Sequence, residues 1–190
     1  MTTPTPPPAA PPPRRRRLSP KLLWLGTLTP LLFGFDFASK QAVVEAVGPR
    51  EVVPLLGSWL SVVHAENTAA AFSAPIPMPL LVVGGFLALG MLIRLVWRMP
   101  DRARLPAAAV ALLFAGGLGN QLDRVLDGSV TDFLRISAEG TALAPWLVER
   151  IGTATWPIFN LADVWLLVGV AALVLMPRAW VERPANPAPG

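Results

Sequence analysis

Four apolar stretches, at about residues 22–37, 79–97, 105–122 and 158–176, constrain this chain more than any other feature of it. An α-helix rises 1.5 Å per residue, so ~20 apolar residues cross the ~30 Å hydrocarbon core of a bilayer. The second and fourth stretches suffice as they stand. The first and third are short unless their flanks, Arg17 to Lys21 and Asn120 to Asp123, lie at the interfaces. Pro30 inside the first is tolerable, because membrane helices re-satisfy the backbone groups that a proline frees. Composition agrees: 53% of the 190 residues are hydrophobic and the mean hydropathy is +0.52, unusual for a water-soluble domain of this length. The expected fold is an all-α membrane protein with four transmembrane helices.

Charge gives the orientation. With the N-terminus inside, the cytoplasmic flanks carry eleven basic residues (Arg14 to Arg17, Lys21, Arg94, Arg98, Arg102, Arg104, Arg178 and Arg183), against five outside. That split follows the positive-inside rule and leads to the expectation of a four-helix inner-membrane protein with both termini in the cytoplasm. The outer loops are then about 38–78 and 123–157, and the four-span domain covers 21–178. The Pro/Arg-rich head, 1–20, and the tail, 179–190, hold too few apolar side chains to offset ordering entropy and are expected to be disordered. A competing reading makes the first stretch a cleaved signal peptide ending near "FASK"; the three spans that follow and the polar residues just after it argue against this. The net charge of +4 and pI near 11.0 come from residues flanking apolar segments rather than from a basic stripe, so no nucleic-acid partner is expected.

In this topology the unusual polar residues fall on one side. Asp36 and Lys40 close the first span, and Asn67 precedes the second. Asn120, Asp123 and Arg124 close the third, Asp132 follows, and Asn160 with Asp163 open the fourth. An acid within hydrocarbon costs ~3 kcal/mol or more, so Asp163 points to a function that returns the cost. Asn120 with Asp123, and Asn160 with Asp163, are spaced i, i+3, which puts each pair on one helix face. Plain readings exist beside this one. Asp36 and Lys40 fit an interfacial ion pair, Arg124 a headgroup contact, Asn67 a turn cap, and His64 an irregular outer loop.

The chemistry available is narrow. There is no cysteine, which removes thiol catalysis and thiolate metal sites, and the single histidine leaves no two-histidine metal site. Ser39 and Lys40 are adjacent and do not share a helix face, so a serine–lysine arrangement is poor. Two carboxylates in a poorly hydrated site can share one proton, the ionised member activating water while the protonated member donates to a carbonyl oxygen. Spacing alone leaves both Asp123 and Asp132 open as the partner of Asp163. Intramembrane acids also build ion relays, but the inner halves of these spans hold no second acid below Asp163, which disfavours a proton- or ion-coupled transporter.

The ordered set "DFASK", "ENTAAAFS", "GGLGNQLDR…VTDF" and "FNLADVWLLVG" resembles lipoprotein signal peptidase, signal peptidase II, over about residues 22–176. The resemblance implies an aspartic endopeptidase that removes signal peptides from bacterial prolipoproteins, cutting before a diacylglyceryl-modified cysteine. It also implies a small periplasmic β-cradle, for which "REVVPLLGSWLSVVHAEN" is the expected segment, and a short interfacial helix. By the same resemblance Asp132 and Asp163 are the catalytic pair. Asn67, Asn120, Arg124 and Asn160 line the substrate pocket, and Asp36, Lys40 and Asp123 support it. No metal or cofactor is implied. The partners are the lipidated precursor and membrane lipids, and a monomer is expected. The chain departs from the family in carrying Ala69 where glycine follows "NT", and in a long interval between Asp132 and Asp163.

Overall fold

The computed structural model describes residues 19–68 and 76–175. The head, the tail from 176 onward and Ala69 lie outside the described residues. Among the described residues five helices and three strands follow in order: α1 (Pro20–Ala46), β1 (Val52–Leu56), β2 (Leu60–Asn67), α2 (Met78–Arg98), α3 (Arg104–Leu126), β3 (Val130–Ile136), α4 (Ala144–Ile151) and α5 (Leu161–Leu175). Three of them, α1, α2 and α3, are long and apolar enough to cross a membrane. Among the described residues α5 is shorter, at 15 residues, and more apolar than any of these three.

Helix α3 is the axis of the bundle. Its apolar window is 61% buried, against 6% for α1 and 11% for α2. Small residues explain this, because Ala107, Ala109, Ala111, Ala115, Gly116 and Gly119 all lie buried on it. A β-carbon on Gly116 would collide with the Ala162 carbonyl and the Leu166 side chain of α5, and one on Gly119 with the Asp36 carboxylate of α1. Close backbone approach through small residues is how helices associate where lipid tails are as apolar as leucine. The outward faces carry Leu31, Phe35, Leu80, Leu87, Met91, Leu167 and Val174, all exposed, as befits an apolar surrounding.

Helix α1 does not stop at Asp36 and Lys40. It runs on to Ala46, so both residues sit within the helix, buried against α3 and paired with each other at 2.8 Å. The strands pair in the order β1-β2-β3, all antiparallel. Beyond β3 the segment before α5 returns alongside it. Leu134 N–H donates to the Phe159 carbonyl at 2.7 Å and Phe159 N–H to the Leu134 carbonyl at 3.1 Å. The long interval between the two acids leaves and rejoins this ladder at one place, where Ser137 pairs with Thr155. It therefore loops outward, carrying α4, without altering where Asp132 and Asn160 meet. His64 corrects an expectation: it lies on strand β2, not in an irregular loop.

Candidate active site

An ammonium group has three hydrogens to donate and nothing with which to accept. Lys40 Nζ, on a side chain only 2% exposed, lies 2.8 Å from Asp36 Oδ2, 2.8 Å from Asp123 Oδ2 and 3.1 Å from Asn120 Oδ1. Every donor is committed. The two carboxylates compensate the buried charge and join α1 to α3. Ser39 is not its partner, since that hydroxyl donates to the Asp36 carbonyl at 2.7 Å.

Lys40 also fixes the neighbouring amide. Because it can only donate, the Asn120 atom facing it is the carbonyl oxygen, which leaves Nδ2 to donate to Asp163 Oδ1 at 2.8 Å. The same Asn120 oxygen accepts from Asn160 Nδ2 at 3.1 Å. Asn120 thus links α1, α3 and α5 at one point.

Asn160 and Asp163 form a reciprocal cap at the start of α5. Asn160 Oδ1 accepts the Asp163 backbone N–H at 3.0 Å, and Asp163 Oδ2 accepts the Asn160 backbone N–H at 3.2 Å. This is the capping-box arrangement, built here from Asn and Asp. Asp36 completes the turn, its Oδ1 accepting Ala162 N–H at 2.8 Å. Three backbone donors that would otherwise be orphaned at a buried helix end are satisfied by these side chains.

The far wall is β3. Asp132, 3% exposed, accepts from Asn160 Nδ2 at 2.7 Å on one oxygen and from Asn67 Nδ2 at 2.9 Å on the other. Burial pushes its carboxyl up to about 6, the hydrogen bond from Asn67 opposes this, and the charge of Asp163 adds to it. Each acid has one amide donor on each oxygen. An ionised carboxylate has about four acceptor sites, so both keep room for a proton or a water molecule. Arg124 lies beside them. Its guanidinium donates to the Asn120 carbonyl at 3.2 Å and toward Gln121 Oε1 at 3.4 Å.

All nine residues singled out from the sequence are therefore joined in one hydrogen-bonded network from α1, β2, α3, β3 and α5. A family model described as signal peptidase (SPase) II matches residues 28–177, a span that includes the whole network. The chain belongs to the signal peptidase II family. A lipoprotein signal peptidase of Chlorobium phaeobacteroides is 34% identical over 157 residues, covering 80% of this chain and 88% of its own. One from Geobacter sulfurreducens is 33% identical over 144 residues, covering 74% and 82%. A solved bacterial membrane enzyme shares the fold, with a TM-score of 0.67 at 24% identity over 80% of this chain and 85% of that one. Membership in a peptidase family sets aside the transporter reading.

Further residues take part in the network. Gln121, buried on α3, donates to the Val82 carbonyl at 2.7 Å and so ties α2 to the residues beside Arg124. Like Asn120, Gln121 is a polar side chain inside an apolar helix, and that is the signal by which sequence marks it. The Thr131 carbonyl accepts from Asn160 at 3.3 Å, and Glu66 bonds Ser129 across the strands; neither carries a signal in sequence.

Proposed function

We propose that this protein is the aspartic endopeptidase that removes the signal peptide from diacylglyceryl-modified prolipoproteins, with Asp132 and Asp163 sharing the proton that drives hydrolysis. The observation that carries this reading is a chain of two amides between the acids: Asn120 Nδ2 donates to Asp163, and Asn160 Nδ2 donates both to Asn120 Oδ1 and to Asp132. One acid is ionised and takes a proton from water. The hydroxyl adds to the scissile carbonyl carbon, and the protonated acid donates to the carbonyl oxygen. As the tetrahedral intermediate collapses, the C–N bond breaks and the amine of the lipidated cysteine leaves with a proton. The two apparent pKa values belong to the pair, so activity follows a bell-shaped pH profile.

In this reading α5 is the fourth span, both termini are cytoplasmic, and the sheet and α4 lie on the periplasmic side. The basic residues at the opposite ends of the helices support that orientation. The acids then sit at the outer leaflet boundary, where the acyl chains of the substrate can remain in lipid. Asn67, Asn120, Arg124 and Asn160 line the pocket, and Asp36, Lys40 and Asp123 brace it. The test is a precursor presented with and without its diacylglyceryl group to the purified, monodisperse protein. The lipidated form is cut before its cysteine and the unmodified form is not. Equal cleavage of both would overturn the assigned substrate class.

A further inference from the structure

Strands β2 and β3 are not a hairpin. More than 60 residues and two helices separate them, and their pairing shifts register between Val62 and Ala65. No turn fixes how the end of β2 lies against the start of β3, yet Asn67 and Asp132 must meet there. A slip of one residue would send Asp132 to the opposite face of the sheet.

The outward face at this end carries its own cluster. Glu66 pairs directly with Thr131, and Ala65 with Asp132, so Glu66 and Thr131 share the face opposite to the one bearing Asn67 and Asp132. Ser129 Oγ donates to Glu66 Oε2 at 2.5 Å, and Thr131 Oγ1 donates toward Oε1 at 3.4 Å. His64, two residues back on β2, lies 3.0 Å from the same oxygen. One carboxylate thus grips β3 on both sides of Val130, immediately before the acid. Partial burial pushes Glu66 up, but its hydrogen bonds from Ser129 and His64 prevail and hold it below the ordinary carboxylate range. It is anchored as an acceptor. Thr131 carries the effect inward, because its carbonyl accepts from the Asn160 amide that also holds Asp132.

We infer that Glu66 is a positioning residue for the reaction: by clamping Ser129 and Thr131 it locks the register of β3 against β2, and so places Asp132. This rests on the dyad reading above. Glu66 touches neither substrate nor the reacting atoms. Its effect is on turnover rather than on substrate affinity, since a displacement of ~1 Å at reacting groups costs up to about 100-fold in rate.

The absence of native cysteine allows a direct test. Directly opposed antiparallel residues have Cα atoms ~4.5–5.5 Å apart, within disulfide range. Glu66→Ala lowers kcat on lipidated precursor by about 10-fold or more, with KM changed less than about 3-fold. The double variant Glu66→Cys/Thr131→Cys is equally slow when reduced. Oxidised with glutathione disulfide, it recovers to within about 3-fold of wild type, because a covalent bond replaces the lost clamp. Formation of the disulfide, read by gel shift, reports that the strands pair in that preparation and separates mispositioning from misfolding. Wild-type turnover in Glu66→Ala, or a cross-linked protein as slow as the reduced one, would overturn the inference. Asp132→Asn is measured in parallel. If it is inactive while Glu66→Ala is normal, only the positioning role falls; if it cleaves normally, the dyad falls instead.

Discussion

Asp132 is a buried acid that the fold keeps at a cost, and the cost has a pH signature. Its folded carboxyl sits at about 6 against an ordinary value of 3.8. A folded pKa above the unfolded one means that the native state binds the proton more tightly. The contribution to stability is therefore complete below about pH 4 and is lost as pH rises through about 6. At about 1.4 kcal/mol per pH unit, the loss across that window is roughly 3 kcal/mol. Asp132→Asn removes the titration while nearly preserving shape. It also sets one amide N–H against the donor of Asn67 or Asn160, a pH-independent cost of about 1–3 kcal/mol. The absolute stabilities are for that reason uninformative, and the difference in pH dependence is the quantity to read. Unfolding of both proteins in the same detergent should be followed by tryptophan fluorescence from about pH 3 to about 7.5. Wild type should lose roughly 3 kcal/mol more than the variant over the range, most of it between pH 4 and 6. Parallel curves, or a steeper loss in the variant, would refute the claim that burial beside Asp163 raises Asp132.

Lys40→Met leaves Asp36 and Asp123 buried without a cation and should cost about 3–5 kcal/mol in the same unfolding assay. Asp36→Asn/Lys40→Met/Asp123→Asn should recover most of that loss; a triple variant no more stable than Lys40→Met would contradict the compensation argument. Gly116→Ala forces α3 away from the Ala162 backbone and Leu166, at about 1–3 kcal/mol, whereas Gly84→Ala meets nothing within 4 Å and should lie within about 0.5 kcal/mol of wild type. Equal stability of the two glycine variants would mean that α3 and α5 are not packed through Gly116.

Hydropathy made the helices legible because a chain in lipid must satisfy its backbone within each segment, which leaves long apolar runs in sequence. The same solvent made the site legible. Polar groups are costly there, so Asn120, Asn160 and Asp163 stand out against their neighbours. Spacing was less decisive than it looked. The i, i+3 interval between Asn160 and Asp163 suits a shared helix face, but it is also the capping-box interval, and the structure uses it as a cap that places both groups at the first turn of α5. Asn120 and Asp123, with the same interval, do share a face and meet Lys40. The family motifs, rather than spacing, single out Asp132 over Asp123, and the geometry is consistent with that choice: Asp123 is paired with Lys40, whereas Asp132 accepts from Asn160, the residue that caps Asp163. The clamp around Glu66 could not be read from sequence. Its members are ordinary surface residues until two strands more than 60 residues apart are paired. The family resemblance did anticipate strands in the segment from Arg50 to Asn67, which holds β1 and β2 and places His64 on a strand rather than in a loop.

In the proposed reaction Asp132 and Asp163 activate water and protonate the carbonyl oxygen, with no nucleophile from the protein. The most direct test of that reaction is cleavage of a diacylglyceryl-modified precursor by Asp132→Asn and by Asp163→Asn, each at membrane abundance matched to wild type. Asparagine keeps the shape but cannot exchange a proton, so either change should reduce turnover at least about 1,000-fold while the protein remains inserted. Near-wild-type cleavage by either variant would contradict the account, and activity retained in Asp132→Asn alone would return Asp123 to consideration as the partner of Asp163.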